Sequence, residues 1–178
     1  MDQVKISIPT LETPRLKLRG FSNSDFEPLC EFYKNEETAR FVGGIETPQQ
    51  VWRRMASYIG HWALRGYGIW ALESKETGAF VGYVGNWFPE GWPEPEIAYG
   101  LIRAGQGQGL ATEAATAALR HAYIKLGWST AISAIDAANA ASAAVVKRMG
   151  AEFEAHKRVA FFSADIYRHV SPNKILDI

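Results

Sequence analysis

A chain of 178 residues, 47% of them hydrophobic, has the size and composition of one globular domain, so we expect a single domain over residues 1–178. Lysine and arginine together number 19, as do aspartate and glutamate, and this balance argues against a nucleic-acid partner, because nucleic-acid surfaces usually show a basic excess. Cys30 is the only cysteine and the four histidines share no ligand spacing, so an internal disulfide is excluded and no metal is predicted.

The first half of the chain predicts one strand, two helices and a pair of strands. The predicted elements are an arm over 1–12, a strand over Pro14–Gly20, a helix capped by Ser22 or Ser24, a helix from Thr47 to Gly66, and strands over Gly68–Glu73 and Ala79–Trp87. Alternating apolar and basic residues favour the first strand, and Pro48 at the first position favours the second helix.

The second half continues with strands and helices in a mixed order. The predicted elements are a loop over Phe88–Pro95, a strand over Glu96–Arg103, a helix over Leu110–Leu126, a strand over Thr130–Asp136, a helix over Asn139–Met149, and strands over Glu152–Val159 and Phe161–Val170. This order of about seven strands and four helices differs from the regular alternation of a doubly wound fold.

A glycine-rich turn joins the predicted strand to the long helix. Gly105, Gly107 and Gly109 alternate within Arg103–Glu113, where missing Cβ atoms let a ligand approach the backbone. A helix N-terminus also presents unpaired N–H groups and a partial positive charge, which favours a pyrophosphate cradle. A tight turn without a ligand is the alternative. The patterns of a Walker A loop and of a dinucleotide-binding loop do not fit, because Leu110 and Thr112 stand where those patterns need other residues.

A third pattern does fit. Gln106–Ala111, QGQGLA, resembles the coenzyme A loop Q/R-x-x-G-x-G/A of the GCN5-related N-acetyltransferases (GNAT). The continuation GLATEA and the earlier segment LETPRLKLR are similar to the branch that includes the ribosomal-protein N-terminal acetyltransferases, and the resemblance covers about residues 11–168. It implies an α+β fold, in which a twisted mixed sheet of about seven strands is splayed between strands 4 and 5 and flanked by about four helices. In that family the acyl-coenzyme A lies in the split.

The resemblance also implies a set of cofactor contacts. Residues expected to bind acetyl-CoA are Leu101, Ile102, Arg103, Gln106, Gly107, Gln108, Gly109, Leu110, Ala111, Thr112, Asn139 and Ser142. Backbone N–H groups around Tyr99–Ile102 would polarise the acetyl carbonyl, and Arg103 would contact the phosphates. Asn139 is equally suited to cap the following helix without any ligand contact.

The segment Asn139–Gly150, NAASAAVVKRMG, departs from the family pattern in two places. Many members have a tyrosine seven residues after the asparagine, and this chain has Val146. The proton for the leaving thiolate would then come from Ser142, from water, or from no donor at all, since a thiol pKa near 8.5 makes the thiolate a tolerable leaving group. Ala151 stands where the family usually has Phe, and we expect Phe153 to fill that space in the core.

Acetyl transfer to an amine needs a neutral amine, a polarised carbonyl and close positioning. Glu96, in the family-like segment EIAYGL, is the candidate base, with a solvated strand-end carboxylate as the alternative. Tyr99 would face the other side of a regular strand, and a bulge, which is common in the family at this place, would change that direction. Trp87, Trp92 and Glu96 are candidate acceptor contacts, because aromatic faces and a carboxylate suit a cationic amine, and a merely solubilising loop is the alternative.

The resemblance therefore implies an acetyl-CoA-dependent N-acetyltransferase acting on a primary amine by direct attack in a ternary complex. A protein N-terminal α-amine and a small-molecule amine, antibiotics included, remain open as acceptors, as does a homodimer. A non-catalytic acyl-CoA-binding module of the same fold is the alternative. No apolar run could span a bilayer and the first residues lack the apolar core of a signal peptide, so a cytoplasmic protein without a membrane partner is expected.

Overall fold

The computed structural model describes residues 6–160 and 162–175. Its strands form one mixed sheet in the spatial order β1-β2-β3-β4-β5-β6-β8-β7. The strands are β1 (Leu11–Glu12), β2 (Leu16–Arg19), β3 (Ile69–Ser74), β4 (Phe80–Trp87), β5 (Glu96–Leu101), β6 (Ile132–Ile135), β7 (Glu152–Val159) and β8 (Phe162–Arg168). Every neighbouring pair is antiparallel except β5 and β6, which are parallel.

The sheet has one strand more than predicted, because part of the expected arm pairs with the sheet. Leu11 and Glu12 lie opposite Leu18 and Lys17 as a two-residue strand. Residues 1–5 of that arm, and Phe161 at the start of the last predicted strand, lie outside the described residues. The mixed α+β fold with a splayed sheet is confirmed.

The helices cover both faces of the sheet. They are α1 (Phe26–Lys34), α2 (Glu36–Ala39), α3 (Pro48–Arg65), α4 (Leu110–Ile124) and α5 (Ala140–Arg148). Residues of α1 and α3 pack on one face, and α4 packs on the other with α5 beside it. The additional short helix α2 forms because the side chain of Asn35 accepts hydrogen bonds from the N–H groups of Glu37 and Thr38.

The long helix α3 begins and ends where its sequence signals predict. Thr47 and Gln50 form a capping box, in which each side chain accepts a hydrogen bond from the other residue's N–H, and Pro48 follows the cap. Gly66 ends the helix with a positive φ of 75°, a conformation that residues with a Cβ seldom adopt. The helix thereby directs Tyr58 and Trp62 toward the sheet, where both are buried.

The sheet is split between β5 and β6, which correspond to the fourth and fifth predicted strands. Their ladder consists of one pair, Glu96 opposite Ile132. Side chains bridge the strands next to this pair: Ser133 Oγ donates to the carbonyl oxygen of Ile97 at 2.8 Å, and Glu96 Oε1 accepts from the N–H of Ala134 at 3.0 Å. The parting of the strands leaves backbone and side-chain groups of β5 facing open space rather than a ladder partner.

Candidate active site

The glycine turn is built so that its backbone amides face outward. After a 3-10 turn over Arg103–Gly105, Gly107 and Gly109 adopt positive φ values of 73° and 77°, and Gly109 is the N-cap of α4 without a capping side chain. Within the described residues, no protein acceptor is hydrogen-bonded to the N–H groups of 107–112. These amides and the helix N-terminus are therefore available to an anion.

The two glutamines of the turn act as internal supports. Gln106 Nε2 donates to the carbonyl oxygen of Leu101 at 3.0 Å, and Gln108 Nε2 donates to that of Ala104 at 2.7 Å. Both side chains fold back on the preceding backbone. Gln106 lines the cavity that lies next to the turn, and Gln108 does not.

An arginine from the start of the chain clamps the same turn, a contact that the sequence interpretation missed. Arg15 donates to the carbonyl oxygen of Gln108 at 2.8 Å and forms an ion pair of 2.7 Å with Glu113 in the first turn of α4. Burial alone would raise the pKa of Glu113, but hydrogen bonds from Thr13 and Arg15 together hold that pKa below its usual value. The family-like segments TPR and GLATE are thus partners in space.

A cavity of about 680 Å³ lies against this turn and enters the split. Its lining includes Leu101, Gln106, Gly107, Gly109, Leu110, Ala111, Thr112, Asn139 and Ser142. Ile102 and Arg103 do not line it: Ile102 donates its N–H to the carbonyl oxygen of Val81, and Arg103 is exposed and ion-paired with Glu37 at 2.8 Å. We call this space the cofactor cavity.

The cation that lines the cofactor cavity is Arg148, at the end of α5. Its Nε lies 3.4 Å from Thr112 Oγ1, next to the free amides of the turn. Among the ion pairs of the described residues, Arg148 has no carboxylate partner, in contrast to Arg103. Its sequence neighbour Lys147 points elsewhere, toward the ring of Tyr167 at 5.8 Å. The sequence signal that could have indicated Arg148 is its helical spacing of seven, four and three residues from Ala141, Ala144 and Val145, which line the same cavity.

The strand amides nearest the split alternate in direction. The N–H of Ile102 is bonded to β4, so by the alternation of a regular strand those of Tyr99 and Leu101 point toward β6 and the split. Two of the four residues expected to offer an amide to the acetyl carbonyl are therefore suitably directed.

A second cavity, of about 400 Å³, opens on the other side of the split. Its lining includes Trp87, Trp92, Glu96 and Asp136, and it shares Phe41, Val42, Tyr99, Asn139 and Ser142 with the cofactor cavity. We call it the acceptor cavity. The structure therefore brings the three predicted acceptor contacts together and places Asn139 and Ser142 where the two cavities meet.

Glu96 is buried rather than solvated. The residue is 6% exposed; Oε2 accepts from Trp92 Nε1 at 2.6 Å, and Oε1 accepts from the N–H of Ala134. Burial raises the pKa of Glu96 to about 7, against the smaller lowering effect of these two hydrogen bonds. A carboxylate with a pKa near 7 can both take and release a proton at neutral pH.

Asn139 caps α5, as one of its two expected roles requires. Its Oδ1 accepts from the N–H of Ser142 at 3.1 Å. Tyr99 donates its hydroxyl to the carbonyl oxygen of Ser142 at 3.0 Å, so this phenol reaches the junction of the cavities from β5. Val146, at the position of the family's tyrosine, is fully buried and cannot supply a donor.

The expectation for Phe153 is wrong. Its side chain is exposed, because β7 is an edge strand of the sheet and most of its residues, on both faces, are exposed. Ala151 packs instead in a small cluster with Val146 and Tyr167.

Comparison with known proteins decides which family this site belongs to. A family model described as "Acetyltransferase (GNAT) domain" matches residues 15–152. The chain belongs to the GNAT acetyltransferase family. The GNAT resemblance of the glycine turn is thereby confirmed, and the protein is an acetyl-CoA-dependent N-acetyltransferase.

Three other acetyltransferases are similar to the chain in sequence or in fold. It is 25% identical over 149 residues to "Uncharacterized N-acetyltransferase YoaA" of Bacillus subtilis (strain 168), covering 82% of this chain and 84% of that protein. The crystal structure of an acetyltransferase from Agrobacterium tumefaciens str. C58 is 29% identical, with a TM-score of 0.86 over 96% of this chain and 99% of that one. RimL, a ribosomal L7/L12 alpha-N-protein acetyltransferase solved in complex with coenzyme A, shares the fold at 17% identity, with a TM-score of 0.73 over 95% and 98% of the chains.

Across residues 6–160 and 162–175, no group of three or more His, Cys, Asp or Glu side chains could hold a metal ion. Over the same part of the chain, none of the helices is both long and apolar enough to cross a bilayer.

Proposed function

We propose that the protein transfers the acetyl group of acetyl-CoA to a primary amine by direct attack, with both substrates bound at once. The observation that carries this proposal is the meeting of two cavities at the split, with free amides in one and a buried carboxylate in the other. Direct attack needs no nucleophile from the protein, and Cys30 lies in α1, outside both cavities.

The cofactor cavity has the groups that acetyl-CoA requires. The backbone N–H groups of Gly107–Thr112 would hold the pyrophosphate, assisted by the positive end of α4. Arg148 would add a charge-assisted hydrogen bond to a phosphate oxygen, the role first expected of Arg103. Asn139 and Ser142 would border the end of the pantetheine arm.

Glu96 would act as the base on the acceptor side. An ammonium has no lone pair, so Glu96 takes a proton from the amine, directly or through a water molecule. The amine nitrogen then bonds to the acetyl carbon as the carbon–sulfur bond breaks. The N–H groups of Tyr99 and Leu101 face the side on which the carbonyl oxygen gains charge.

The leaving thiolate needs little help, because its conjugate thiol has a pKa near 8.5. Ser142 and Tyr99 carry the hydroxyl groups at the junction of the two cavities. Because the Tyr99 hydroxyl already donates to the carbonyl oxygen of Ser142, the hydroxyl of Ser142 or water would stabilise the departing sulfur in place of the tyrosine that Val146 replaces.

A thiol-release assay with acetyl-CoA and a panel of primary amines tests the proposal. We expect turnover by the wild type, and a loss of at least about 100-fold in kcat for Glu96→Gln with unchanged acetyl-CoA binding by calorimetry. Equal turnover by both proteins would remove Glu96 from the mechanism. Binding of acetyl-CoA without turnover of any amine would instead favour a non-catalytic module.

A further inference from the structure

Several aromatic side chains line the acceptor cavity. Trp87, Trp92 and Phe162 line it and are each only half buried. The ring of Tyr58 lies 5.7 Å from that of Trp87 and 5.5 Å from that of Tyr83, which extends the aromatic surface toward α3. On the β8 side, the rings of Trp92 and Phe162 are 6.2 Å apart. A ligand bound here would therefore bury apolar surface against several rings.

The charges of the acceptor cavity suit one ammonium group and oppose a second. Glu96 and Asp136 are its carboxylates. The arginine on its inner wall, Arg54, is neutralised by an ion pair with Glu46. Arg40 lies at the rim, exposed and stacked over the ring of Phe41 at 4.4 Å, without an ion pair among the described residues. A polyamine or a polycationic antibiotic would place further positive charge beside Arg40.

We propose that the acceptor is a small primary amine carried on an aromatic or branched apolar body. This inference rests on the proposed function and specifies its substrate. The amine lies at Glu96 and the apolar body lies among Trp87, Trp92 and Tyr58. A volume of about 400 Å³ is in the usual range of small-molecule sites.

Steady-state kinetics with matched amines test this specificity. At saturating acetyl-CoA, we compare kcat/KM for 2-phenylethylamine, butylamine, spermidine and a peptide that begins Ser-Ala. We expect 2-phenylethylamine to exceed butylamine by at least about tenfold, because even one methylene group in an apolar pocket is worth roughly that factor. Spermidine and the peptide should be poorer still.

Substitutions of Trp92 test whether the cavity wall causes the preference for 2-phenylethylamine over butylamine. Trp92→Ala should reduce the ratio of kcat/KM between 2-phenylethylamine and butylamine toward one, whereas Trp92→Phe, which keeps a ring, should retain most of it. Both variants lose the hydrogen bond to Glu96, but the ratio cancels that loss, because the two amines share the same reacting group. Trp52→Ala is the control, since Trp52 is 59% exposed on α3 and does not line the cavity.

The outcomes separate this inference from the proposed function. Faster acetylation of spermidine or of the peptide than of 2-phenylethylamine would overturn the aromatic acceptor while leaving the acetyltransferase mechanism intact. A ratio that survives Trp92→Ala would likewise overturn it. If the protein bound acetyl-CoA and acetylated none of the amines, the proposed function would fail together with this inference.

Discussion

At the scale of single residues, the burial that suits Glu96 to its proposed role as the base also makes its ionised form costly to the fold. Its carboxylate is buried in the split with two hydrogen-bond donors but no cation beside it among its described contacts. Burial without a counter-charge favours the protonated form. The sequence identified Glu96 as a candidate base, but only the structure distinguishes a buried carboxylate from a solvated one.

Replacing Glu96 should stabilise the protein as pH rises. The pKa of Glu96 is raised from 4.5 to about 7, so in the folded protein this carboxyl group stays protonated to a higher pH than in the unfolded chain. The stability that this difference contributes is fully present below pH 4.5 and is lost as pH rises through 7. Glu96→Gln does not titrate, so its free energy of unfolding relative to wild type should increase by roughly 2 kcal/mol between pH 5 and 8. Urea unfolding of both proteins at the two pH values measures this difference, and an unchanged difference would contradict the raised pKa.

The same pKa predicts the pH dependence of activity. The base is competent when ionised, so kcat/KM should rise as pH increases through about 7 and should level above it. An acceptor amine with a higher pKa adds a second, later rise, which the acceptor's own titration identifies. A rate profile flat between pH 6 and 8, measured with one amine, would speak against Glu96 as the base.

Arg148 and Lys147 offer a matched pair for the phosphate contact. Both are exposed and adjacent on α5, but Arg148 alone lines the cofactor cavity. Arg148→Gln should weaken acetyl-CoA binding roughly tenfold through the loss of a charge-assisted hydrogen bond, and Lys147→Gln should leave it unchanged. Calorimetry measures the affinity of both variants for acetyl-CoA. Equal affinities would mean that Arg148 does not contact the phosphates.

At the scale of elements, the glycine turn and α4 form one unit with the first long strand. Arg15, which immediately precedes β2, donates hydrogen bonds to both the carbonyl oxygen of Gln108 and the carboxylate of Glu113. The turn itself carries the positive φ values, so its shape does not depend on packing alone. The amides of the turn are thereby fixed in advance of binding, which lowers the ordering cost of gripping an anion.

Gly109→Glu should weaken the binding of acetyl-CoA at the turn. Glutamate at this position would have to adopt a φ of 77°, which residues with a Cβ seldom do. Its carboxylate would also add negative charge at the proposed anion site. We expect acetyl-CoA to bind at least about tenfold more weakly by calorimetry. Gly78→Glu is the control, because Gly78 has a similar φ of 69° and open space but lies in the turn between β3 and β4. Equal loss in both variants would mean that backbone strain, not the site, is responsible.

At the scale of the whole molecule, the split is held by a few side chains in place of a strand ladder. Ser133 Oγ donates across the gap to the carbonyl of Ile97, and His169 Nε2 lies 2.9 Å from the same hydroxyl. His169 is 4% exposed, and burial lowers its pKa to about 4, with a smaller contribution from Arg168. The histidine is therefore neutral in the folded protein at neutral pH.

Mild acid should destabilise the protein through His169. Its folded pKa lies below the unfolded value of about 6.5, so the unfolded chain gains a proton first as pH falls. The contribution is present above pH 6.5 and is lost as pH falls toward 4, amounting to about 2 kcal/mol between pH 7 and 5. Urea unfolding of wild type and His169→Asn at these pH values should show a smaller loss in the variant. The opposite contribution of Glu96 is present in both proteins and cancels in this comparison.

Features that depend on neighbours along the chain could be predicted from the sequence. The glycines of the turn, the capping residues Thr47 and Asn139 and the alternation of the strands are local signals, and most predicted elements lie within a few residues of the observed ones. The same local motif, Gln106–Ala111, indicated the family.

Which side chains are in contact, and how far each is buried from solvent, follows only from the tertiary structure. Arg15 and Glu113 are 98 positions apart, and Arg148 rather than Arg103 faces the cofactor cavity because α5 and the turn meet in space. The pKa of Glu96 depends on the water removed by Trp92 and β6, which no spacing in the sequence encodes. Long-range contact and desolvation arise only when distant segments pack together, so they cannot be inferred from a pattern of nearest neighbours.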